Sequence, residues 1–235
     1  RITMAPKAPN ASSGHWLSNP IRMALRTPNI HLRTANAGIR FAPGSKIKTT
    51  VTIGDTLTIT GAGASVEGGT IESAAAWDVI NAIPTFAVVH VKAEDVRIAG
   101  LLLVNVPKVG ICFADVKTGT VEGCRIAGNY PASGWTGSET GHFGIAYNPH
   151  GVDAGRLVIT DNHIKSYLQG MFMEAYGGPD PAYGIVMSSN IFDGCHNHGI
   201  YSSFDLNAVA GNSFTRCSMH VALTGRGHVV TGNTR

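Results

Sequence analysis

The phrase Val158-Ile-Thr-Asp-Asn162-His-Ile164 returns as Val186-Met-Ser-Ser-Asn190-Ile-Phe192 and Val209-Ala-Gly-Asn212-Ser-Phe214. A shortened copy follows as Val230-Thr-Gly-Asn233. The asparagines lie 28, 22 and 21 residues apart. Self-similarity at such a period marks a solenoid, a chain wound into stacked coils. The apolar runs are short and β-branched, and Gly, Asn, Asp and Ser punctuate them, so each coil reads as strands and turns.

A second phrase falls between the asparagines: Gly110-Ile111, Gly144-Ile145, Gly170-Met171, Gly199-Ile200 and, more weakly, His220-Val221. Each coil then holds two or three strands. That fits an all-β, right-handed parallel β-helix, while the Leu-x-x-Leu-x-Leu signature of leucine-rich repeats is missing. Equivalent residues stack about 4.8 Å apart in such a coil. Asn162, Asn190, Asn212 and Asn233 are therefore expected to form an amide ladder at an inward turn, and Ile164, Phe192 and Phe214 an apolar one. Cys195 and Cys217 each lie five residues after a ladder asparagine and should be stacked neighbours. Cys112 and Cys124 fit no metal spacing, and without Cys-x-x-Cys neither zinc nor any other cofactor is expected. All four cysteines read as small buried thiols, with a Cys195–Cys217 disulfide as the alternative.

At 235 residues the chain is long enough for one continuous core. Residues 39–235 are assigned to the β-helix. Residues 1–38, with Pro6, Pro9, Pro20 and Pro28 and little periodicity, are assigned to an extended arm or N-terminal cap. Residues 1–54 carry eight Lys or Arg and no acid, whereas the rest carries ten basic and fifteen acidic residues. Such an arm can meet an anionic polymer or an acidic neighbouring subunit. Nucleic acid is disfavoured, because no module pattern or aromatic platform accompanies the charge. There is no apolar run of membrane-spanning length, so no membrane partner is expected. The last phrase stops within a coil, which predicts a fragment, a processed product, or a homotrimer or neighbouring subunit covering that end.

The Asn-x-Ile/Phe and Gly-Ile phrases resemble those of the right-handed parallel β-helix, or pectin-lyase-like, superfamily. It includes pectate lyases, polygalacturonases, alginate epimerases and many phage tailspikes. The resemblance covers residues 88–235 well and 39–69 loosely. It implies a polysaccharide partner and an extracellular, secreted or virion-associated setting. Asn148-Pro-His150, with Arg156-Leu-Val-Ile-Thr-Asp-Asn162, is similar to the Asp-Pro-His segment and following coil of mannuronan C5-epimerases. That likeness implies proton abstraction by His150. Asn148 stands where the family has Asp, and Asp153 is the nearby carboxylate that can substitute. His196-Asn-His198-Gly loosely resembles the Gly-His-Gly element of polygalacturonases.

The turns flanking the Gly-Ile strands hold the candidate chemistry. Glu174 and Asp205 sit at nearly matching offsets in consecutive coils, roughly 5–10 Å apart if they stack, within the range of paired carboxylates in glycoside hydrolysis. His150 and His198 are the proton-transfer candidates, and Arg226 or Lys165 the charge partner for a uronate. Trp135 and Tyr176 lie in long insertions, Tyr147 in a turn and Tyr201 outward on a strand, each able to stack on a sugar ring. Three functions compete: an enzyme that cleaves or epimerises an acidic glycan, a tailspike- or adhesin-type module that binds glycan without turnover, and a structural shaft.

Overall fold

A computed structural model describes residues 14–16, 22–25, 30–50, 54–74, 87–131, 141–149, 156–174 and 184–235. Strands recur in a cycle of three. Every third strand pairs in parallel with its copy in the next coil, giving one nine-stranded and two eight-stranded sheets. The first sheet runs from Gly14–Trp16 to Val229–Thr231, the second from Arg22–Leu25 to Ser213–Thr215, and the third from Ile30–Leu32 to Met219–Leu223. The chain is a right-handed parallel β-helix, the hand that crossovers between parallel strands favour.

Pairing begins earlier than the sequence periodicity suggests. Gly14–Trp16, Arg22–Leu25 and Ile30–Leu32 lie in the stretch read as an arm or cap. Each is in register with the following coil, for example Gly14 with Gly38 and Arg22 with Lys46. These strands have three or four residues, too few for alternation to stand out, and Pro20 and Pro28 fall between them in sequence. Two bases of the acid-free stretch find partners one coil away: Arg40 with Glu67 and Lys46 with Glu72. Arg97 continues the surface row by bridging Glu67 and Glu122. Part of the charge asymmetry is thus settled inside the coil.

The asparagine ladder forms at the turn between the first and second sheets. Each side-chain amide donates to the next: Asn162 Nδ2 to Asn190 Oδ1, Asn190 Nδ2 to Asn212 Oδ1, and Asn212 Nδ2 to Asn233 Oδ1, all 3.0 Å. The same oxygens accept the backbone N–H of the preceding asparagine. The ladder therefore satisfies groups that a buried turn would otherwise strand. The residue before each asparagine is left-handed: Asp161, Ser189, Gly211 and Gly232, at φ 56–64°. Those are residue types that tolerate such a turn. One coil earlier Cys124 takes the asparagine's place, its N–H donating to Asn162 Oδ1 at 2.9 Å.

The core is a stack of apolar rows. Ile126, Ile164, Phe192 and Phe214 are in register on the second sheet, and the last two rings stack at 5.0 Å and 8°. On the third sheet Ile111, Ile145, Met171, Ile200 and Val221 align as the Gly-Ile phrases require. The glycines are there for room. A Cβ on Gly110, Gly144 or Gly170 would stand 2.5–2.6 Å from the carbonyl oxygen of the next glycine in the row. No other residue fits without moving the neighbouring coil.

Candidate functional site

Outward positions of the third sheet form one continuous register row: Thr58, His90, Cys112, Ala146, Phe172, Tyr201 and Ala222. The row changes from polar to small to aromatic along the axis. Its middle belongs to a second apolar cluster, separate from the core, made by Ala87, Val109, Cys112, Phe143, Ala146 and Phe172, with Tyr201 packed against it. Phe143 stacks on Phe172 at 4.3 Å and Phe172 on Tyr201 at 5.2 Å. Phe143 and Phe172 are buried, so they hold Tyr201 in orientation, and the half-buried Tyr201 is the ring with a reachable edge.

One border of this face is lined by histidines. His198 opens the strand that carries Tyr201, and their rings lie 5.6 Å apart. Its Nδ1 is buried without a hydrogen-bond partner. Burial lowers the pKa of both His196 and His198, which favours the neutral, proton-accepting imidazole. Deeper in the same border Tyr130 sits between His142 and His196, and His142 lies 4.8 Å from Tyr167. Burial pushes His142 down to about 4, although its Nε2 meets the Val106 carbonyl at 3.2 Å. Gly110 and Gly128 leave the space that the Tyr167 ring fills.

The opposite border carries the acids. Glu174 directly follows Met173, which pairs with Ser202, so Glu174 stands opposite Ser203 and Asp205 lies two residues further on. The two carboxylates are not cross-strand neighbours. Asp205 Oδ1 accepts the N–H of Arg226 at 2.6 Å and so caps the turn of the next coil. Arg226 itself is exposed.

Two expected ligand contacts lie elsewhere. Tyr147 is fully buried in the core, donating its hydroxyl to the Val116 carbonyl at 3.0 Å, with its ring 5.4 Å from Phe204. Lys165 is exposed on the second sheet, in register with Ala127 and Asp193, so it is not on the face that carries Tyr201. His150, Asp153, Trp135 and Tyr176 lie outside the described residues. Among the described residues no three His, Cys, Asp or Glu side chains converge as a metal site.

The sequence reading passed over a polar knot at the N-terminal end of the same outward row. Asp55 Oδ2 meets His90 Nδ1 at 2.9 Å, and Asp55 Oδ1 accepts the Ala87 N–H at 3.0 Å. Burial raises the Asp55 pKa, but the hydrogen bond and charge of His90 outweigh it and the net shift is downward. The buried Lys108 donates to the Gly54 carbonyl, and burial lowers its pKa to about 8 against the pull of Asp55. The Asp55 carboxylate occupies His90 Nδ1, while Nε2 is buried without a partner. The available signal was small: Asp55 is the first acid of the chain, and His90 interrupts an apolar strand.

No family model and no curated protein sequence matches the chain. Among solved structures it is similar to the crystal structure of Dettilon tailspike protein (gp208), with a TM-score of 0.50 and 15% identity. The match covers 86% of this chain and 48% of that one, so this chain spans about half the length of the tailspike chain. The likeness is one of fold: the same kind of parallel coil.

Proposed function

We propose that the chain is a glycan-handling β-helix that cleaves or epimerises an acidic polysaccharide on the outer face of its third sheet. The observation that carries this reading is the series Phe143–Phe172–Tyr201, which ends in a reachable ring beside a neutral His198. A sugar ring stacked on Tyr201 brings its C–H bonds toward that histidine, the proton acceptor. Glu174 on the opposite border is the acid. Arg226 is the charge partner for a uronate, with Asp205 holding its turn. His150, Asp153, Trp135 and Tyr176 are assigned to the loops that would close over the sugar. The tailspike likeness in fold is in keeping with a virion-associated or extracellular setting, and assembly with neighbouring subunits, a homotrimer among them, is part of the same proposal.

A second reading, binding without turnover, draws support from Asp205, whose carboxylate is committed to a backbone N–H. One assay separates the two. The protein is incubated with uronate-containing and bacterial surface polysaccharides, while ultraviolet absorbance of unsaturated products, new reducing ends and proton exchange at C5 are followed together. Absorbance with reducing ends means elimination, reducing ends alone mean hydrolysis, and exchange alone means epimerisation. Retained binding without any of the three selects the binding module. Under either reading Tyr201→Ala weakens glycan binding about tenfold, the equivalent of ~1.4 kcal/mol of lost stacking. Unchanged affinity in that variant removes this face from consideration.

A further inference from the structure

Cys195 and Cys217 meet across one coil boundary. Cys195 ends the strand Ile191–Cys195 of the second sheet. Asp193 of that strand pairs with Thr215. Each cysteine follows a left-handed residue, Gly194 at φ 65° and Arg216 at φ 54°, and the Ser218 N–H donates to the Cys195 carbonyl at 3.3 Å. The two cysteines therefore occupy the same place in consecutive coils. Neighbouring strands stand about 4.8 Å apart, within the ~4.4–6.8 Å between Cα atoms that a disulfide spans. Cys217 Sγ lies 3.5 Å from the Thr215 carbonyl and 3.8 Å from the Phe192 carbonyl, and all four cysteines are free.

The geometry points to Cys217 and Cys195 as a dithiol pair that a low-molecular-weight disulfide oxidises to a cross-link between the last two coils. Cys217 is the attacking sulfur. It is half-buried, and the hydrogen bond from Cys195 pulls its pKa down to about 7 against partial desolvation. Cys195 is fully buried, and donating to Cys217, then burial, pushes its pKa up. The charge facing both sulfurs is Asp193, which Arg216 neutralises through two bonds of 2.7 Å, while His196 follows Cys195 in the chain. A thiolate on Cys217 attacks one sulfur of the small disulfide, forming a mixed disulfide and releasing one small thiolate. Cys195 then gives up its proton and attacks the Cys217 sulfur, releasing the second. Two protein thiols are oxidised and one small disulfide is reduced to two thiols, which carry away the two protons.

The test uses the full chain and oxidised glutathione under native conditions, followed by digestion without reduction and mass spectrometry. The expected product joins the peptides of Cys195 and Cys217 with loss of two hydrogens. Cys112 and Cys124, which burial holds up at about 12 and about 11, stay as thiols. Cys195→Ser accumulates the mixed disulfide on Cys217, and Cys217→Ser gives neither product. Alkylation of Cys217 by iodoacetamide has its midpoint near pH 7, and Cys195→Ala moves it up toward the ordinary 9.0. Oxidation raises the unfolding temperature of the wild type and leaves Cys217→Ser unchanged. A persistent mixed disulfide in the wild type, modification of Cys112 or Cys124 first, or an alkylation midpoint unmoved by Cys195→Ala overturns the proposal.

Discussion

Replacing Asn190 by alanine removes the middle rung of the amide ladder, and the cost can be worked bond by bond. The side chain makes four hydrogen bonds of 3.0 Å. It accepts from Asn162 N and Nδ2, and donates to the Ile159 carbonyl and Asn212 Oδ1. Asn190 is 0% exposed, so water cannot replace those partners. At about 1 kcal/mol per bond, with the Asn162 N–H left stranded, Asn190→Ala costs about 4 kcal/mol. For a chain of this size that lowers the unfolding temperature by about 8–16 °C. Asn233 is the internal control. It makes the equivalent bonds to Asn212 and Val209 but is only half-buried, so Asn233→Ala costs about 1 kcal/mol. Thermal and urea unfolding followed by circular dichroism measure both variants. Equal losses in the two, or a loss below about 1 kcal/mol for Asn190→Ala, would refute the view that exclusion of water gives the ladder its strength.

Gly170→Ala places a Cβ 2.6 Å from the Gly199 carbonyl oxygen and 2.5 Å from the Phe192 ring, so it costs about 3 kcal/mol or prevents folding. Gly194→Ala meets nothing within 4 Å and pays only for its φ of +65°, about 1 kcal/mol, so urea midpoints should rank the two in that order. His142 has a folded pKa of about 4 against an ordinary 6.5, so the unfolded chain binds the extra proton between those values. Its contribution is complete above pH 6.5 and lost as pH falls toward 4, about 3 kcal/mol in all; urea titrations on either side of pH 6.5 should show that limb, and His142→Gln should flatten it. Asp55 is lowered from 3.8, so its contribution is present above that value and lost as pH falls through the folded pKa; Asp55→Asn should erase that acid limb from the pH profile.

The parts of the molecule legible in sequence are those where one coil forms the wall of the next. An asparagine from residue 162 onward satisfies the N–H of the neighbouring buried turn, and a glycine stands where a Cβ would strike the next carbonyl, so both recur at the coil period. Tyr147 was read as a turn residue after the Gly-Ile phrase, whereas the strand Phe143–Asn148 continues through it and its ring joins the core. Lys165 was drawn to the Gly-Ile face by proximity in sequence, although its strand, His163–Tyr167, belongs to the second sheet. The knot of Asp55, His90 and Lys108 joins residues 35 and 18 positions apart and occurs in one place, so no repeat announces it.

The same constraint shows where function can be written. An inward row admits few residue types, because each member packs on copies of itself. Outward rows escape that rule, yet those of the three sheets differ. On the first sheet the outward row is explained locally by ion pairs such as Arg40 with Glu67, and then by small residues such as Thr160, Ser188 and Ala210. On the second, Arg216 grips Asp193 one coil away. Among the described residues, the third is the sheet whose outward row buries large or polar side chains, His90, Cys112 and Phe172, outside the coil's own core. The chain itself covers them: Asp55 meets His90, Phe143 and Tyr201 stack on Phe172, and Cys112 lies within the same apolar cluster. The Phe172 and Tyr201 rings follow one another at 5.2 Å, a step close to the spacing between strands. Under the proposed function the borders are where specificity is written, because the histidines and the turn acids there differ from coil to coil.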